Sequence, residues 1–287
     1  MYTINNRIVF IYNTSNGSAV AVHAPAHKPV LYLGDTSLAT AAGYLAGLMS
    51  HHRFGYDYLP SDIAVNGELD CLRHLVVLSD YPSRMMSKKA QASIVQCVAE
   101  GAGLLMIGGC ESFHGDGGNW DQTLLADILP VTISRQDDRI NCDQPAVVSK
   151  VRNHEIVDGL PWDERPPGIG GFNRFTAKSD AEVLLEVQRF STRREEVNAE
   201  TRWHFTPTER SPLLVVGQHG KGRVAAFATD IAPHWVGGLV DWGKGSRVIA
   251  EAPQSWSIEV GSDYARFIGN LLNWTGKLDA SQEPVLI

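Results

Sequence analysis

The stretch GLLMIGGCESFHGDGGNW, residues 103–120, carries the clearest fold signal in the chain. A run of aliphatic residues stops on Gly108 and Gly109, and Cys110 follows directly. A short apolar run that ends in glycines is typical of a buried strand followed by a sharp turn. We therefore expect a strand at 103–109 with a turn at Cys110. This cysteine is either a nucleophile on that turn or a small residue buried in it.

Similar apolar runs lie on both sides of this strand and alternate with helical patterns. Further strands are predicted at 28–34, 54–59 and 74–80, and 212–230 is predicted to form two strands joined by a Gly-rich loop. Helices are predicted from Ser37 to Met49, from Ser87 to Glu100 and over 262–276, with Ser37 and Ser262 as N-caps. Strands that alternate with helices predict an α/β fold with a doubly wound, mostly parallel sheet.

The order of elements divides the chain into parts. We expect a strand-rich extension at 1–28 with a turn at Asn16-Gly17, one α/β domain at 29–278 and a tail at 279–287. Within the main domain, residues 131–211 are predicted to be an irregular, proline-rich insertion that contains short strands.

Composition excludes several functional classes. The chain is 44% hydrophobic and 20% charged, which suits a globular domain with a substantial core. Its formal net charge of −7 offers no basic surface for nucleic acid, so no nucleic-acid partner is expected. No segment approaches the roughly 18 consecutive apolar residues that span a membrane, so no membrane partner is expected either.

The cysteines and the N-terminal sequence predict a cytoplasmic protein. The N-terminus lacks the long apolar region and the cleavage site of a signal peptide. The four cysteines show no CxxC pair and no spacing typical of a disulfide framework, as expected in a reducing compartment. Cys71, Cys97 and Cys142 are therefore interpreted as unpaired structural residues.

Reactive side chains follow four of the predicted strands. Because the carboxyl ends of parallel strands meet at one edge of a sheet, we expect these side chains to share a ligand cleft. They belong to Asp35 after the first strand, Ser79 and Asp80 after the third, Cys110 and Glu111 after the fourth, and Asp230, His234 and Trp235 after the late strand. Gly109, beside Cys110, is a further candidate ligand-binding residue.

Cys110 is the sharpest catalytic candidate. A thiol between a strand and a helix N-terminus meets the positive end of the helix dipole, which favours the thiolate. Free cysteine is also among the most buried residue types, so a structural role stays open. Glu111 is either an acid–base group or a first-turn carboxylate of that helix, and Ser112 and His114 are candidate ligand-binding residues in the same loop.

No cofactor or metal is expected. The pairs His51-His52 and His23/His27 lack the spacing and context of metal ligands. The segment GIGGFNRF at 168–175 has no strand-to-helix setting, which argues against a dinucleotide.

Four blocks carry a resemblance to a known family. LLMIGGCESFHGDGGNWDQTLLADILPV, NHEIVDGLPW, GKGRVAAFATDIAPHW and FIGNLLNW occur in that order. Over roughly 29–278 the chain resembles the putative glutamine amidotransferase domain family, in the class I glutamine amidotransferase-like superfamily and similar to trehalose-utilisation proteins. The resemblance implies a flavodoxin-like, three-layer sheet and a ligand site at Cys110.

The resemblance also implies roles for individual residues. Class I amidotransferases use a cysteine, a histidine and an acidic residue two positions after it; the first two correspond to Cys110 and His234, whereas the acidic position is Val236. One hypothesis is a cysteine-dependent hydrolase or amidotransferase-like enzyme with Asp230 or Glu111 orienting His234. The other is a non-catalytic domain that binds a small polar metabolite such as a sugar. A small-molecule partner is expected in both, and a homo-oligomer is left open.

Overall fold

The computed structural model describes residues 2–4, 7–9, 29–197 and 200–278. Strands β1 (Tyr2–Ile4) and β2 (Arg7–Val9) pair antiparallel in the predicted N-terminal extension. The predicted turn at Asn16-Gly17 and the predicted tail at 279–287 lie outside the described residues.

The central sheet begins as a parallel α/β sheet. Its parallel strands are β3 (Val30–Gly34), β4 (Tyr56–Leu59), β5 (Leu75–Ser79), β6 (Gly103–Ile107) and β13 (Gly222–Phe227), in the order β4-β3-β5-β6-β13. Helices α1 (Ala42–His51) and α5 (Ser262–Gly276) pack together, and α2 (Lys88–Glu100) packs on α3 (Leu124–Ile128). The predicted α/β class with a doubly wound sheet is confirmed.

An antiparallel half extends the same sheet to nine strands. Beyond β13 the order continues β12-β11-β8-β9, with β8 at Arg139–Lys150, β9 at Gly168–Asn173, β11 at Glu182–Val197 and β12 at Glu200–His219. Region 131–211 supplies most of this half. The strands expected within it are present, but they are long and regular, so the prediction of an irregular insertion is wrong. The outer parts of β11 and β12 contain no apolar run, and β8 pairs with β11 across the whole segment between residues 150 and 182, so little in the local sequence marks these strands.

The remaining elements are short. Strands β7 (Val131–Ile133) and β10 (Phe175–Ala177) pair with each other, as do β14 (Arg247–Glu251) and β15 (Ser257–Gly261). Helix α4 spans Pro233–Val236, and 3-10 turns lie at Ser83–Met85, Trp120–Gln122 and Gly237–Asp241. In the part of the chain that the structure describes, no helix combines the length and apolarity needed to cross a bilayer.

The predicted helix starts agree only in part with the structure. The helix predicted from Ser87 is α2, and Ser87 is its N-cap, because its Oγ accepts a hydrogen bond from the Ala90 amide at 3.2 Å. Ser37 instead accepts from the Ala39 amide in a preceding turn, and α1 begins only at Ala42. Ser262 is the first residue of α5 rather than its cap. Serine in a local turn and serine at a cap have the same sequence signature.

The sheet interior is apolar on both faces where it carries the site. All residues of β5 and β6 are buried, as their uninterrupted aliphatic sequences predict. Only glycine fits at position 108, directly after β6, because a Cβ there would lie 2.0 Å from the Ala228 carbonyl oxygen. The backbone at the end of β6 therefore lies in close contact with the backbone that follows β13.

Two cysteines form a disulfide, which corrects the prediction that they are unpaired. Cys71, in the segment before β5, is bonded to Cys97 on α2 across a Cα–Cα distance of 4.8 Å. The pair is separated by 26 residues in sequence, and no local spacing indicates it. Cysteine usage therefore no longer supports a reducing compartment. Cys110 and Cys142 are free.

We expect the disulfide to contribute to stability. Closing a loop of this length restricts the unfolded chain, so Cys71→Ser should lower the free energy of unfolding by about 3 kcal/mol. Cys142→Ser is the matched control and should change it little. Denaturant titration measures both, and thiol counting on the unfolded, unreduced protein should find Cys110 and Cys142 alone. Four reactive thiols before reduction would contradict the pairing.

Candidate functional site

Three aspartates converge at the carboxyl ends of the parallel strands. Asp35 follows β3, Asp80 follows β5 and Asp230 lies just beyond β13. Burial raises the pKa of Asp35 to about 6, and burial with the neighbouring Asp35 charge raises the pKa of Asp80 to about 7. Burial, then Asp35 and Asp80, raise the pKa of Asp230. The structure thus brings these three predicted residues into one carboxylate cluster.

Asp35 forms the floor of this cluster. Its Oδ2 accepts a hydrogen bond from the Tyr32 hydroxyl at 2.7 Å, and the Ser79 hydroxyl lies 3.5 Å away. The residue is only 8% exposed to solvent. The Tyr58 hydroxyl donates a hydrogen bond to its backbone carbonyl oxygen at 2.8 Å. These hydroxyl donors oppose the rise in pKa that burial causes. These hydrogen bonds therefore fix the orientation of Asp35.

Asp80 connects the cluster to the loop after β6. Its Oδ1 accepts from the Glu111 amide at 2.7 Å, and its own amide donates to the Ser112 hydroxyl at 3.0 Å. Gly109 is required beside it, because a Cβ at that position would lie 2.2 Å from Oδ1. The predicted ligand residues Ser112 and Gly109 thus position Asp80 and the loop.

Backbone conformation marks the same strand ends. Asp35 has φ 41° and Asp80 has φ 47°, both in the left-handed region that non-glycine residues rarely adopt. Such strain costs on the order of 1–3 kcal/mol per residue and tends to collect at functional sites. The two carboxylates are therefore placed at a cost in stability.

Asp230 completes the cluster from the other side. Its Oδ1 accepts from the Ile231 amide at 2.5 Å and from the Ala232 amide at 3.1 Å. The adjacent Thr229 hydroxyl is buried with no hydrogen-bond partner among the described residues. Across the described ranges, no group of three or more His, Cys, Asp or Glu side chains is arranged to hold a metal ion.

Cys110 lies in a loop rather than at a helix N-terminus. β6 ends at Ile107, and the next elements are the 3-10 turn at Trp120–Gln122 and helix α3 from Leu124. The chain between them includes left-handed φ values at Phe113, Gly115 and Gly117, which do not occur within a helix. The prediction that Cys110 and Glu111 lie between a strand and the N-terminus of a helix, close to the helix dipole, is therefore wrong.

The thiol of Cys110 is not activated. Burial raises its pKa, and the Asp80 carboxylate raises it further, while a hydrogen bond with Arg139 opposes both. This direction is opposite to the lowered thiol pKa expected of a nucleophile. Cys110 is nevertheless exposed, so it does not fill a buried bend.

His234 does not join this arrangement. It lies on the short helix α4 with its side chain exposed, and the described contacts include no hydrogen bond or ion pair between it and Cys110. Its neighbour Trp235 points into the protein, where Nε1 donates to Asn141 at 2.9 Å and only 3% of the residue is exposed. Among the described contacts, neither His234 nor Trp235 bonds to the three carboxylates.

Glu111 and His114 have partners within the loop region. Glu111 forms an ion pair with Arg84 at 2.9 Å, so its carboxylate is engaged away from His234. His114 Nδ1 lies 2.9 Å from Asp121 Oδ1. The second oxygen of Asp121 is buried with no partner among the described residues. His114 is thus the imidazole that a carboxylate orients in this loop.

Two buried polar residues that the sequence did not reveal hold the loop in place. The Asn173 side chain accepts from the Gly109 amide at 2.9 Å and donates to the Gly109 carbonyl at 3.2 Å. It also donates to Asp138 at 2.8 Å, and Asp138 accepts from the amides of His114 and Gly115, both at 3.0 Å. The one available signal was a lone asparagine ending the glycine-rich strand β9.

Comparison with known proteins relates the chain to one family. The family model described as "Putative glutamine amidotransferase" matches residues 32–253. Two cytoplasmic proteins of Salmonella typhimurium are 26% and 25% identical, each with a TM-score of 0.63, and each comparison covers 86% of this chain and 98% of the other. A ThuA-like protein from Parabacteroides merdae, 12% identical with a TM-score of 0.51 over 90% and 93% of the two chains, shares the fold. No curated protein sequence matches this chain.

The raised pKa of Cys110 predicts slow alkylation. Arg139→Ala removes the contact that lowers this pKa, so iodoacetamide labelling at pH 8 should slow by roughly 2- to 5-fold. His234→Ala is the matched control and should leave the rate unchanged. Peptide mass spectrometry distinguishes Cys110 from Cys142. A rate that falls with His234→Ala but not with Arg139→Ala would show that the histidine controls the thiol.

The raised pKa of Asp80 predicts a loss of stability as pH rises. The folded protein retains this proton to about pH 7, whereas the unfolded chain releases it near pH 4, so unfolding free energy falls between those values. Asp80→Asn should therefore raise that free energy by about 1–3 kcal/mol at pH 8 and change it little at pH 4.

Denaturant unfolding across this pH range measures the effect, and the exposed Asp163→Asn serves as control. Equal effects of Asp80→Asn at both ends of the range would contradict the raised pKa.

Proposed function

Because the chain belongs to the family described as "Putative glutamine amidotransferase", we propose that it uses this family's cleft to bind a small, hydroxyl-rich metabolite such as a sugar. The observation that carries the proposal is the cluster of Asp35, Asp80 and Asp230 at the carboxyl ends of three parallel strands. Ligands of open α/β sheets bind at this edge. The cluster lies where β4 and β5 flank β3 on opposite sides, a point at which strand order reverses.

Carboxylates of this kind suit neutral ligands with many hydroxyl groups. A buried carboxylate accepts hydrogen bonds from hydroxyl donors, and its protonated form can also donate one. The pKa of Asp35 near 6 and that of Asp80 near 7 make both states accessible near neutral pH. A bound polyol would replace the water that hydrates these groups and reduce their mutual repulsion.

Cysteine-dependent hydrolysis is the second candidate. The exposed position of Cys110 and its hydrogen bond with Arg139 favour it, since a guanidinium stabilises a thiolate. Against it stand the raised thiol pKa, the lack of a described contact between Cys110 and His234, and the valine at position 236. An imidazole without an orienting acid is a weaker base. We therefore rank binding ahead of catalysis by Cys110.

We also propose that the protein works in the cytoplasm. The two Salmonella typhimurium relatives at 26% and 25% identity are titled cytoplasmic proteins. The disulfide between Cys71 and Cys97 would then be subject to the reducing cytosol. Trapping thiols in intact cells with an alkylating agent before lysis would report both the compartment's redox state and the state of this pair.

Ligand binding can be tested with a defined set of neutral probes. We expect glucose, galactose, glycerol or myo-inositol to raise the thermal midpoint of the wild-type protein and to bind measurably by calorimetry. Asp80→Asn removes a charge-assisted acceptor, so affinity for the best probe should fall about 10-fold. Asp163→Asn is the matched surface control and should bind as the wild type does.

A glutaminase assay separates the two candidates. Ammonia release from glutamine that disappears in Cys110→Ala would favour the enzyme over the binding domain. Absence of binding by every probe, or binding that Asp35→Asn and Asp80→Asn leave intact, would overturn the proposed role of the carboxylates.

A further inference from the structure

The connection between β4 and β5 contains no helix. It covers residues 60–74, which we call the strap, and the structure describes all of them. β4 and β5 both run parallel to β3, and parallel strands are usually joined by a crossover helix. The strap has only an isolated bridge between Val65 and Met86. Its position therefore depends on individual contacts rather than on regular secondary structure.

The first half of the strap is hydrogen bonded beside the carboxylate cluster. The Ser61 amide donates to the Asp35 carbonyl oxygen at 3.1 Å. The Ile63 carbonyl oxygen accepts from the Tyr81 hydroxyl at 2.8 Å. Asp35 follows β3 and Tyr81 follows β5 by two residues. The first half is therefore attached to the chain at the carboxyl ends of two parallel strands.

The second half of the strap is exposed and is tied to α2 by the disulfide. Six of the seven residues 66–72 are exposed. Glu68 lies 3.2 Å from Lys89 on α2, but these side chains are 66% and 64% exposed, so the ion pair contributes little. The bond between Cys71 and Cys97 is the covalent link from this half to α2. Opening it would therefore release the second half and leave the hydrogen bonds of the first half in place.

The disulfide is accessible at one of its two residues. Cys71 is exposed, whereas Cys97 is only 5% exposed. A groove of about 320 Å³ adjoins Cys71. Leu69 of the strap and Ala92 of α2 form part of its walls. A thiol therefore has space to approach Cys71 through this groove, whereas Cys97 is covered.

We propose that the bond between Cys71 and Cys97 is a thiol–disulfide exchange site that a dithiol reductant opens from Cys71. The thiolate of the reductant attacks Cys71 Sγ and forms a mixed disulfide, while Cys97 Sγ leaves with the electron pair of the broken bond and takes a proton from solvent. The second thiol of the reductant, once deprotonated, attacks the reductant's own sulfur in the mixed disulfide. Cys71 then leaves as a thiolate that solvent protonates. The reductant becomes a disulfide and loses two electrons, which the two cysteines gain.

A dithiol fits the site better than a monothiol such as glutathione. Cys97 is held on α2, and the backbone bond from Val65 to Met85 keeps the strap beside the start of that helix. The thiol released from Cys97 therefore stays close to a mixed disulfide at Cys71. It re-forms the original bond before a second monothiol arrives, because a tethered group has a high effective concentration. A dithiol completes the exchange by a step that is intramolecular as well.

The exchange site is distinct from the carboxylate cluster and needs no ligand there. Reduction frees residues 66–72 while Ser61 keeps its bond to Asp35, so the redox state acts on a segment that begins beside the cluster. Disulfides of cytosolic proteins, where they occur, are usually transient and serve catalysis or redox sensing. The strap is therefore a redox-sensitive segment of the fold.

Reduction of the folded wild-type protein tests the exchange site. After dithiothreitol treatment without denaturant, iodoacetamide trapping and peptide mass spectrometry should find both Cys71 and Cys97 labelled. Reduced glutathione at the same thiol concentration should leave the pair bonded. A thioredoxin-type protein whose second active-site cysteine is replaced by serine cannot complete the exchange, so it should be captured on Cys71 rather than on Cys97.

Limited proteolysis measures the release of the strap. Glutamyl endopeptidase cleaves after Glu68, and cleavage there should be about 10-fold faster or more once the reduced cysteines have been alkylated. The double variant Cys71→Ser, Cys97→Ser should show the fast cleavage without any reductant. Cys142→Ser is the matched control and should be cleaved at the rate of the oxidised wild type. Circular dichroism should show that all of these proteins are folded.

Several results would overturn the exchange site. A bond that dithiothreitol opens only in denaturant would be a purely structural disulfide. Capture of the trapping protein on Cys97, or equal reduction by glutathione and dithiothreitol, would contradict the proposed route. Cleavage after Glu68 that reduction does not accelerate would show that the disulfide does not hold the strap. Loss of the folded circular dichroism spectrum on reduction would show that the bond holds the whole domain instead.

Discussion

The side chain of Asn173 makes the contact on which the site depends. Its amide group both accepts from and donates to the backbone of Gly109, and so it joins the last strand of the antiparallel half to the loop that follows β6. Asp138 extends this contact to the amides of His114 and Gly115. Because these groups are buried, loss of one partner would leave the others unsatisfied at a cost of about 1–3 kcal/mol each. The loop geometry is therefore coupled to correct assembly of the whole sheet.

The carboxylate cluster shows a conflict between stability and function. Asp35, Asp80 and Asp230 lie near one another: the Asp35 charge raises the pKa of Asp80, and the charges of Asp35 and Asp80 raise that of Asp230. Two of them also have left-handed backbone conformations. A chain under selection for stability alone would not retain three such groups. Their cost is compensated by the aliphatic strands β5 and β6 beneath them, whose residues are all buried.

The family match identifies the fold of the chain, but the surroundings of Cys110 do not support cysteine catalysis. The match over residues 32–253 places the chain in the glutamine amidotransferase-like family. The surroundings of Cys110 lack two features that activate a cysteine, namely a helix N-terminus and a nearby histidine within the described contacts. The same fold can hold different chemistry at the same edge, because side chains at the strand ends change without changing the sheet. In this chain, the side chains at the carboxyl ends of β3, β5 and β13 are the carboxylates of Asp35, Asp80 and Asp230.

The sequence by itself determined the elements whose signals are local. Local patterns within a few residues predicted the aliphatic runs of β3, β5 and β6 and the helix that begins near Ser87. They also predicted that Asp35, Asp80 and Asp230 follow strand ends. Only the tertiary structure decided the Cys71–Cys97 pairing, the pairing of β11 with β8, the loop at Cys110 and the contacts of Asn173. The two pairings and the Asn173 contacts join residues that lie far apart in the chain. The energy of such a pairing belongs to two distant segments together, so neither segment alone carries a pattern that reveals it.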